Sequence, residues 1–219
     1  MKQSDIFQVY KNKGELYTEN LVPGYTSYGE ELVTDGGVEY RTWDPHRSKL
    51  AAYIRKGVKN IGIRKGNIVL YLGASTGTTP SHVSDIVGEE GFVFALDSAP
   101  RVVRVLVRLC EARQNMAPIL ANAGNPKSYA GRVCSIDTIY QDIAQPSQAR
   151  IFLDNCHQFL RPGGFGLLAL KAKSIDIAKK PRAIYKDVKQ QLEREMTLVD
   201  MRELDPYQKD HCMFLCKKK

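Results

Sequence analysis

The sequence has few cysteines, and they show no pairing pattern. There are 5 in the chain, at positions 110, 134, 156, 212 and 216, and no two of them form C-x-x-C. We therefore expect reduced, mostly buried thiols in a cytoplasmic protein. Cys212 and Cys216 would share one face of a predicted strand. Without a second pair of ligands they do not indicate a zinc site, so no metal site is expected.

Long apolar runs and the common phosphate-binding glycine motifs are also absent. No apolar run approaches the roughly 18 residues that a membrane span needs, and we recognise no signal peptide. Neither G-x-G-x-x-G nor G-x-x-x-x-G-K-[ST] occurs in the chain, which disfavours an NAD-dependent dehydrogenase and a P-loop enzyme.

The composition is that of a basic globular protein. The 219 residues are 43% hydrophobic, and the formal net charge is +8. Such a length suits one sizeable domain, or one domain with a small appendage. The positive charge favours an RNA or DNA partner over a membrane; a generally basic surface without such a partner is the alternative.

The stretch around Gly73 and Gly77 organises the rest of the chain. A short apolar run, residues 68–72, leads into this turn. A helix is predicted to follow over residues 81–87, with Thr79 as its N-cap and Pro80 at its first position. Such a turn brings backbone close to a ligand at the carboxyl end of a strand, although bare strand-to-helix turns also use glycine.

The next predicted strand, residues 92–97, ends in Asp97. Its distance from Gly73 is about that at which such folds place an acid against ribose hydroxyls. Because the phosphate motifs are missing, a nucleoside without phosphates fits better than a dinucleotide. S-adenosylmethionine is the commonest ligand of that kind.

The chain divides into a β-rich start and an alternating remainder. Residues 1–42 predict a small antiparallel β domain with two hairpins, 6–10 with 15–18 and 31–34 with 38–41. Residues 43–219 predict an α/β domain. Its first helix is expected from Asp44 and Pro45, with Leu50, Ile54 and Val58 on its buried face. Alternating strands and helices imply a mostly parallel sheet, and a short loop makes the last two strands, 197–204 and 211–217, antiparallel.

A basic stripe marks the helix after Asp97. Arg101, Arg104 and Arg108 recur at helical spacing, and Val102, Val105, Leu106 and Leu109 are expected to face inward. The stripe is either a phosphate-binding surface or an ordinary solvated face.

Three titratable residues end predicted strands: Asp97, Asp142 and Lys171. In open α/β sheets this edge binds ligands, yet each could simply be the first solvated residue after a strand. The polar run 142–145 should lie beside the Gly73 turn. His211 begins a predicted strand, and Lys49 lies at the margin of a buried helix face.

Five segments, taken in order along the chain, resemble the fibrillarin family of RNA 2′-O-methyltransferases from box C/D small ribonucleoproteins. They are residues 40–52, 70–88, 142–146, 170–176 and 206–211. The resemblance implies a Rossmann-like class I methyltransferase sheet, mostly parallel with an antiparallel last strand, and S-adenosylmethionine as cofactor. It further implies rRNA or tRNA targets chosen by a box C/D guide RNA, a Nop-domain scaffold protein and a kink-turn-binding ribosomal-type protein.

By the same resemblance, the catalytic residues are Lys49, Asp142, Lys171 and His211. The cofactor-binding residues are Gly73, Thr78, Thr79, Asp97, Ser98, Asn122, Ala123, Asp142 and Gln145. Two positions depart from the family pattern, which commonly has an aromatic residue at Ser98 and an aspartate at Asn122. Their loss removes ring stacking and a carboxylate, although Asn122 keeps an acceptor oxygen. A catalytically weakened protein that binds RNA or a scaffold is therefore the alternative to an active enzyme.

The four predicted catalytic residues suit the implied reaction. A ribose hydroxyl is a poor nucleophile at neutral pH, so it must be aligned and helped to lose its proton. Lys171 is the candidate base. Lys49 would favour the unprotonated form of this lysine and Asp142 would oppose it, and the sequence does not decide which wins. His211 would orient the substrate or relay the proton.

Overall fold

A computed structural model describes residues 1–219. The first five strands form one antiparallel sheet in the order β1-β2-β3-β5-β4. These strands are β1 (Lys2–Gln3), β2 (Val9–Asn12), β3 (Glu15–Glu19), β4 (Leu32–Asp35) and β5 (Val38–Thr42). The predicted antiparallel N-terminal sheet is thus confirmed.

Both predicted hairpins form, but the first starts later than expected. Gln8 has a φ of 59°, which is left-handed backbone that cannot continue a strand. Strand β2 therefore begins at Val9 and not at Ile6. In the second hairpin Gly36 and Gly37 have φ values of 60° and 83°, as a tight two-residue hairpin turn requires.

The remaining chain alternates helices and strands. The helices are α1 (Lys49–Arg55), α2 (Thr78–Val87), α3 (Pro100–Ala112), α4 (Gln148–Phe159) and α5 (Pro181–Glu195). The strands are β6 (Ile68–Leu72), β7 (Phe92–Asp97), β8 (Met116–Leu120), β9 (Ile136–Gln141), β10 (Leu160–Lys171), β11 (Met196–Glu203) and β12 (His211–Lys218). Short 3₁₀ segments cover Pro126–Arg132 and Ala172–Ser174.

These seven strands form one sheet in the order β11-β12-β10-β9-β6-β7-β8. Strands β10, β9, β6, β7 and β8 pair in parallel. Strand β12 runs antiparallel to both β10 and β11. Two apolar clusters hold most of the buried hydrophobic residues. The predicted mostly parallel sheet with an antiparallel last strand is confirmed.

Two helix starts differ from the predictions. Helix α1 is capped by Ser48, whose Oγ accepts from Ala51 N, whereas Asp44 accepts from His46 N in a preceding turn. Helix α2 begins at Thr78, so the predicted Thr79 cap is wrong. Gly77 stands at the cap with a φ of 97°, a backbone conformation that glycine adopts without strain.

The predicted inner face of α3 is partly wrong. Val103, Leu106 and Leu109 are buried, whereas Val105 is 46% exposed. The helix is rotated relative to the expectation, and the three arginines of the stripe are exposed as expected.

The thiols are free and mostly removed from solvent. Cys156, Cys212 and Cys216 are buried and Cys110 is half-buried, while Cys134 is exposed. None of the helices combines the length and apolar character needed to cross a membrane.

A buried charge network joins the N-terminal sheet to α2. The carboxylate of Asp85 accepts hydrogen bonds from Arg41 at 2.6 Å, from Arg113 at 2.7 Å and from Thr18 Oγ1 at 2.7 Å. Both arginines are fully buried, so their charges need buried carboxylate partners. Arg113 pairs with Asp85, and Arg41 pairs with Asp85 and also with the buried Glu30. We propose a domain boundary between residues 42 and 43, because the last strand of the N-terminal sheet ends at Thr42. The two parts nevertheless pack against each other through the Arg41–Asp85 pair.

The turn after β6 lies unusually close to the end of β9. A Cβ built on Gly73 would lie 2.1 Å from the backbone oxygen of Asp142, and Gly73 has a φ of 85°. Asp142 N in turn donates to Leu72 O over 2.8 Å. Only glycine permits this approach, which places Asp142 against the glycine turn.

Acid should destabilise the protein through His82. Its ring nitrogens are hydrogen-bonded to Thr18 and Tyr28, and burial, with Arg41 and Arg113 nearby, lowers its pKa well below the ordinary value. Below the unfolded-state value of about 6.5, the unfolded chain binds the extra proton and the folded chain does not. This residue alone should therefore remove up to about 1.4 kcal/mol from the free energy of unfolding per pH unit.

Chemical denaturation between about pH 6.5 and pH 5 measures this slope. The variant His82→Gln should show a shallower slope than the wild type. His157→Gln is the matched control, because the His157 side chain is 50% exposed. Equal slopes in the two variants would contradict the prediction.

Replacing Gly73 by alanine should be costly. The new methyl group would clash with Asp142 O, and the alanine backbone would have to keep a positive φ. We therefore expect a loss of about 3–5 kcal/mol in the free energy of unfolding. Gly36→Ala is the control, since Gly36 also has a positive φ but no atom lies within 4 Å of its Cβ position. That variant should lose only about 1–2 kcal/mol. Comparable losses in chemical denaturation would count against the steric argument.

Candidate active site

A cavity of about 220 Å³ opens at the carboxyl ends of β6, β7, β8 and β9. It is lined by Gly73, Leu96, Asp97, Ser98, Asn122, Ala123, Asp142, Ile143, Ala144 and Gln145. The lining contains every predicted cofactor residue except Thr78 and Thr79. Leu96, Ile143 and Ala144 were not predicted, although each is adjacent in sequence to a residue that was.

Thr78 and Thr79 lie in the first turn of α2. The Thr79 side chain is turned away from the solvent, since the residue is 6% exposed. Its Oγ1 donates to Ser48 Oγ over 3.0 Å. Contact of these two residues with the cofactor stays a prediction.

Backbone amides engage the polar side chains of the cavity. The carboxylate of Asp97 accepts from Ser75 N and from Ala99 N, both at 2.9 Å. Asn122 Oδ1 accepts from Gly124 N at 2.8 Å, so the acceptor oxygen expected to compensate for the missing aspartate already has a partner. These bonds hold the loops that follow β7 and β8.

Lys49 and Asp142 form an ion pair beside the cavity. Lys49 Nζ lies 2.8 Å from Asp142 Oδ2, and the two side chains are 22% and 23% exposed. Lys49 is the first residue of α1, and Asp142 directly follows β9. The pair therefore joins two elements that are distant in sequence.

Lys171 and His211 are direct cross-strand partners on β10 and β12. His211 Nδ1 donates to Lys209 O over 2.7 Å, which leaves Nε2 without a proton in the neutral ring. Burial lowers the pKa of His211. Lys49 and Lys171 lower it further, while the Lys209 carbonyl and Asp142 oppose them. The other three predicted catalytic residues thus all act on His211, and the four converge at one edge of the sheet.

Gln148 is a buried residue of the site that the sequence analysis missed. Its Oε1 accepts from Lys171 N at 3.0 Å, and its Nε2 donates to Lys171 O at 3.1 Å and to Gln145 O at 3.0 Å. It therefore clamps the backbone of Lys171 to the cavity loop. Helical spacing puts Gln148 on the same buried face as Phe152 and Cys156, and a polar residue on that face was the available signal.

The site offers three different functional groups. The Asp142 carboxylate is paired with Lys49. No carboxylate lies within ion-pair distance of Lys171, so its amine is available to a substrate. The His211 ring is neutral near pH 7 because its pKa is lowered, and its Nε2 can accept a proton.

The cavity lining fits a nucleoside. Asp97 can accept from ribose hydroxyls, and apolar residues such as Ala123 and Ile143 line the cavity beside it. The absent Cβ at Gly73 leaves backbone at the cavity wall. The lining thus suits the adenosine part of S-adenosylmethionine.

Comparison with known proteins agrees with this geometry. The chain is 46% identical over 204 residues to the fibrillarin-like rRNA/tRNA 2′-O-methyltransferase of Pyrococcus furiosus, which is 93% of this chain and 90% of that protein. Aeropyrum pernix fibrillarin, solved in complex with natively bound S-adenosyl-L-methionine, superposes with a TM-score of 0.90 at 39% identity and covers 98% of this chain and 96% of its own.

A fibrillarin in a solved fibrillarin/Nop5p complex superposes with a TM-score of 0.87 at 38% identity, covering 97% of this chain and 98% of its own. A model described as Fibrillarin matches residues 1–219. The match extends over the β-rich start and the α/β remainder alike. The chain therefore belongs to the fibrillarin family.

Proposed function

We propose that this protein methylates the 2′-hydroxyl of ribose in rRNA or tRNA, with S-adenosylmethionine as the methyl donor. The observation that carries the proposal is the convergence of Lys49, Asp142, Lys171 and His211 beside a nucleoside-sized cavity. The Pyrococcus furiosus relative bears this activity in its name.

The cavity residues would hold the cofactor. Asp97 would accept from the ribose hydroxyls, while Ala123 and Ile143 would contact the base. Gly73 would let backbone approach the amino-acid part, since it carries no side chain. When bound, S-adenosylmethionine supplies a methyl group that is already activated for transfer.

The four converging residues would prepare the ribose hydroxyl. Lys171 is our candidate for the base, because its amine is not held in an ion pair and it lies directly across from His211 on the neighbouring strand. The Lys49 ammonium pairs with the Asp142 carboxylate. Together the two groups would fix the position of the target ribose. His211 Nε2 would accept the proton or orient the hydroxyl, since Nδ1 is committed to Lys209 O.

Target choice would come from partners. No segment resembles a module that reads RNA sequence, and a relative has been solved in a complex with Nop5p. We propose that a box C/D guide RNA selects the nucleotide by base pairing, and that a Nop-domain scaffold and a kink-turn-binding ribosomal-type protein hold the particle together. The unpaired cysteines support assembly of this particle in the cytoplasm.

A weakened protein that only binds RNA or a scaffold is the second candidate. It is favoured by Ser98, which offers no ring for stacking, and by Asn122, whose oxygen is bonded to Gly124. We prefer the active enzyme because all four catalytic positions carry the residue types of the family and are brought together.

Replacing the candidate base separates these cases. In a particle assembled with guide RNA and partner proteins, Lys171→Ala should lower turnover by about 10²–10⁴-fold, the usual share of acid–base catalysis. Calorimetric titration should still show micromolar binding of S-adenosylmethionine, about 7–8 kcal/mol, for the wild type and this variant. Lys186→Ala, at an exposed position of α5, is the control and should keep full activity.

Near-normal turnover by Lys171→Ala would sink the assignment of the base. If folded wild-type protein shows no heat at millimolar cofactor, the scaffold alternative is correct.

The purified chain alone should show little site-specific methylation. Adding guide RNA and the partner proteins should restore it, because base pairing would supply the sequence recognition that the chain lacks. Mapping of 2′-O-methyl positions in a target RNA measures this, with a guide of scrambled spacer as the control. Robust methylation of one site without guide RNA would contradict the proposed role of the guide.

A further inference from the structure

One buried hydrogen bond joins the starts of α1 and α2. Thr79 Oγ1 donates to Ser48 Oγ over 3.0 Å, and the two residues are 6% and 1% exposed. No other side-chain hydrogen bond links α1 and its cap to α2. A bond shielded from water holds its partners more firmly than one at the surface.

Ser48 sets where α1 begins. Its Oγ also accepts from Ala51 N at 3.3 Å, which caps the helix, and its backbone N donates to Asp44 O at 3.0 Å. Lys49 follows directly and reaches Asp142 Oδ2 over 2.8 Å. A displacement of Ser48 would thus move the backbone that carries the Lys49 ammonium.

Thr79 lies just beyond the glycine turn that borders the cavity. Gly73 lines this cavity, and Ser75 N donates to Asp97 Oδ2 at 2.9 Å. The turn and the first residues of α2 therefore form one connected piece of backbone. Thr79 links this piece to the cap of α1.

We propose that Thr79 is a positioning residue for Lys49. Its hydroxyl, through Ser48, would fix the position of the Lys49–Asp142 pair relative to the turn that contains Gly73. The inference depends on the proposed methyltransferase function. The Thr79 hydroxyl bonds to Ser48 Oγ, and Ser48 directly precedes Lys49 in the chain. The side chain would thus act on the reaction through Ser48 and Lys49.

Three substitutions test the hydrogen bond in the assembled particle. Thr79→Val keeps the shape and removes the donor, whereas Thr79→Ser keeps the donor. At saturating S-adenosylmethionine, Thr79→Val should slow single-turnover methylation by about tenfold or more, as expected for a misplaced catalytic group. Calorimetric titration of the cofactor, run beside the rate at saturation, separates this effect from any contact between Thr79 and the cofactor. Thr79→Ser should retain most of the rate, and Thr197→Val, at an exposed position of β11, is the matched control.

A double-mutant comparison shows whether Thr79 acts through Lys49. In a Lys49→Ala background, Thr79→Val should cause no further loss of rate. The ammonium resonance of Lys49, assigned by its absence in Lys49→Ala, should shift in Thr79→Val and remain in place in Thr79→Ser. If Thr79→Val fails to fold, Ser48→Ala removes the same bond from the acceptor side and should show the same pattern.

Three outcomes would overturn the inference. The first is weaker cofactor binding in Thr79→Val with a normal rate at saturation, which would make the hydroxyl a cofactor contact. The second is a loss of rate from Thr79→Val that is just as large in the Lys49→Ala background, or a Lys49 resonance that does not shift in Thr79→Val. Either result would mean that Thr79 contributes only to the packing of the fold. The third is a wild-type particle without activity, which would refute the proposed function itself and this inference with it.

Discussion

The close contact between Gly73 and Asp142 is the constraint on which the site depends. Parallel pairing of β6 with β9 aligns Leu72 with Gln141, so the next residue of each strand leaves the sheet at the same level. With no Cβ at Gly73, the two backbones can touch. Asp142 is thereby held between the Gly73 turn and Lys49, and any side chain at position 73 would separate the two backbones.

The antiparallel last strand completes the site. Parallel strands present only their carboxyl ends at the ligand-binding edge. Strand β12 runs the other way, so its first residue, His211, lies at that edge as the cross-strand partner of Lys171. Two residues from opposite ends of their strands thus meet because one strand is reversed.

The N-terminal sheet holds helix α2 in place through a buried ion pair. Asp85 on α2 binds Arg41 of the N-terminal sheet and Arg113 at the end of α3, and neither arginine has solvent to replace the carboxylate. Removing Asp85 would leave Arg113 buried without a carboxylate partner, which is far more costly than losing a surface pair. Helix α2, which begins just after the turn that contains Gly73, is therefore fixed to both the N-terminal sheet and α3.

Local sequence determined a large part of this structure. Periodicity and turn residues were enough to predict that there are two sheets, the succession of strands and helices along the chain, and the Gly36–Gly37 hairpin. These features depend on residues that are close together in the sequence. The motif resemblance supplied the four predicted catalytic residues, whose roles stay a prediction, and most of the cavity lining. The helix caps at Ser48 and Gly77, the start of β2 at Val9 and the exposure of Val105 came out differently, since several local patterns suit each position almost equally well.

Only the tertiary structure decided the distances on which chemistry depends. Whether Lys49 pairs with Asp142, which proton His211 carries and where the hydroxyl of Thr79 points all depend on contacts between residues far apart in the chain. Gln148 is the clearest case: its sequence position predicts a buried helix face, but its grip on the Lys171 backbone exists only once α4 packs beside β10. Sequence patterns specify which groups are present, and packing specifies which of them meet.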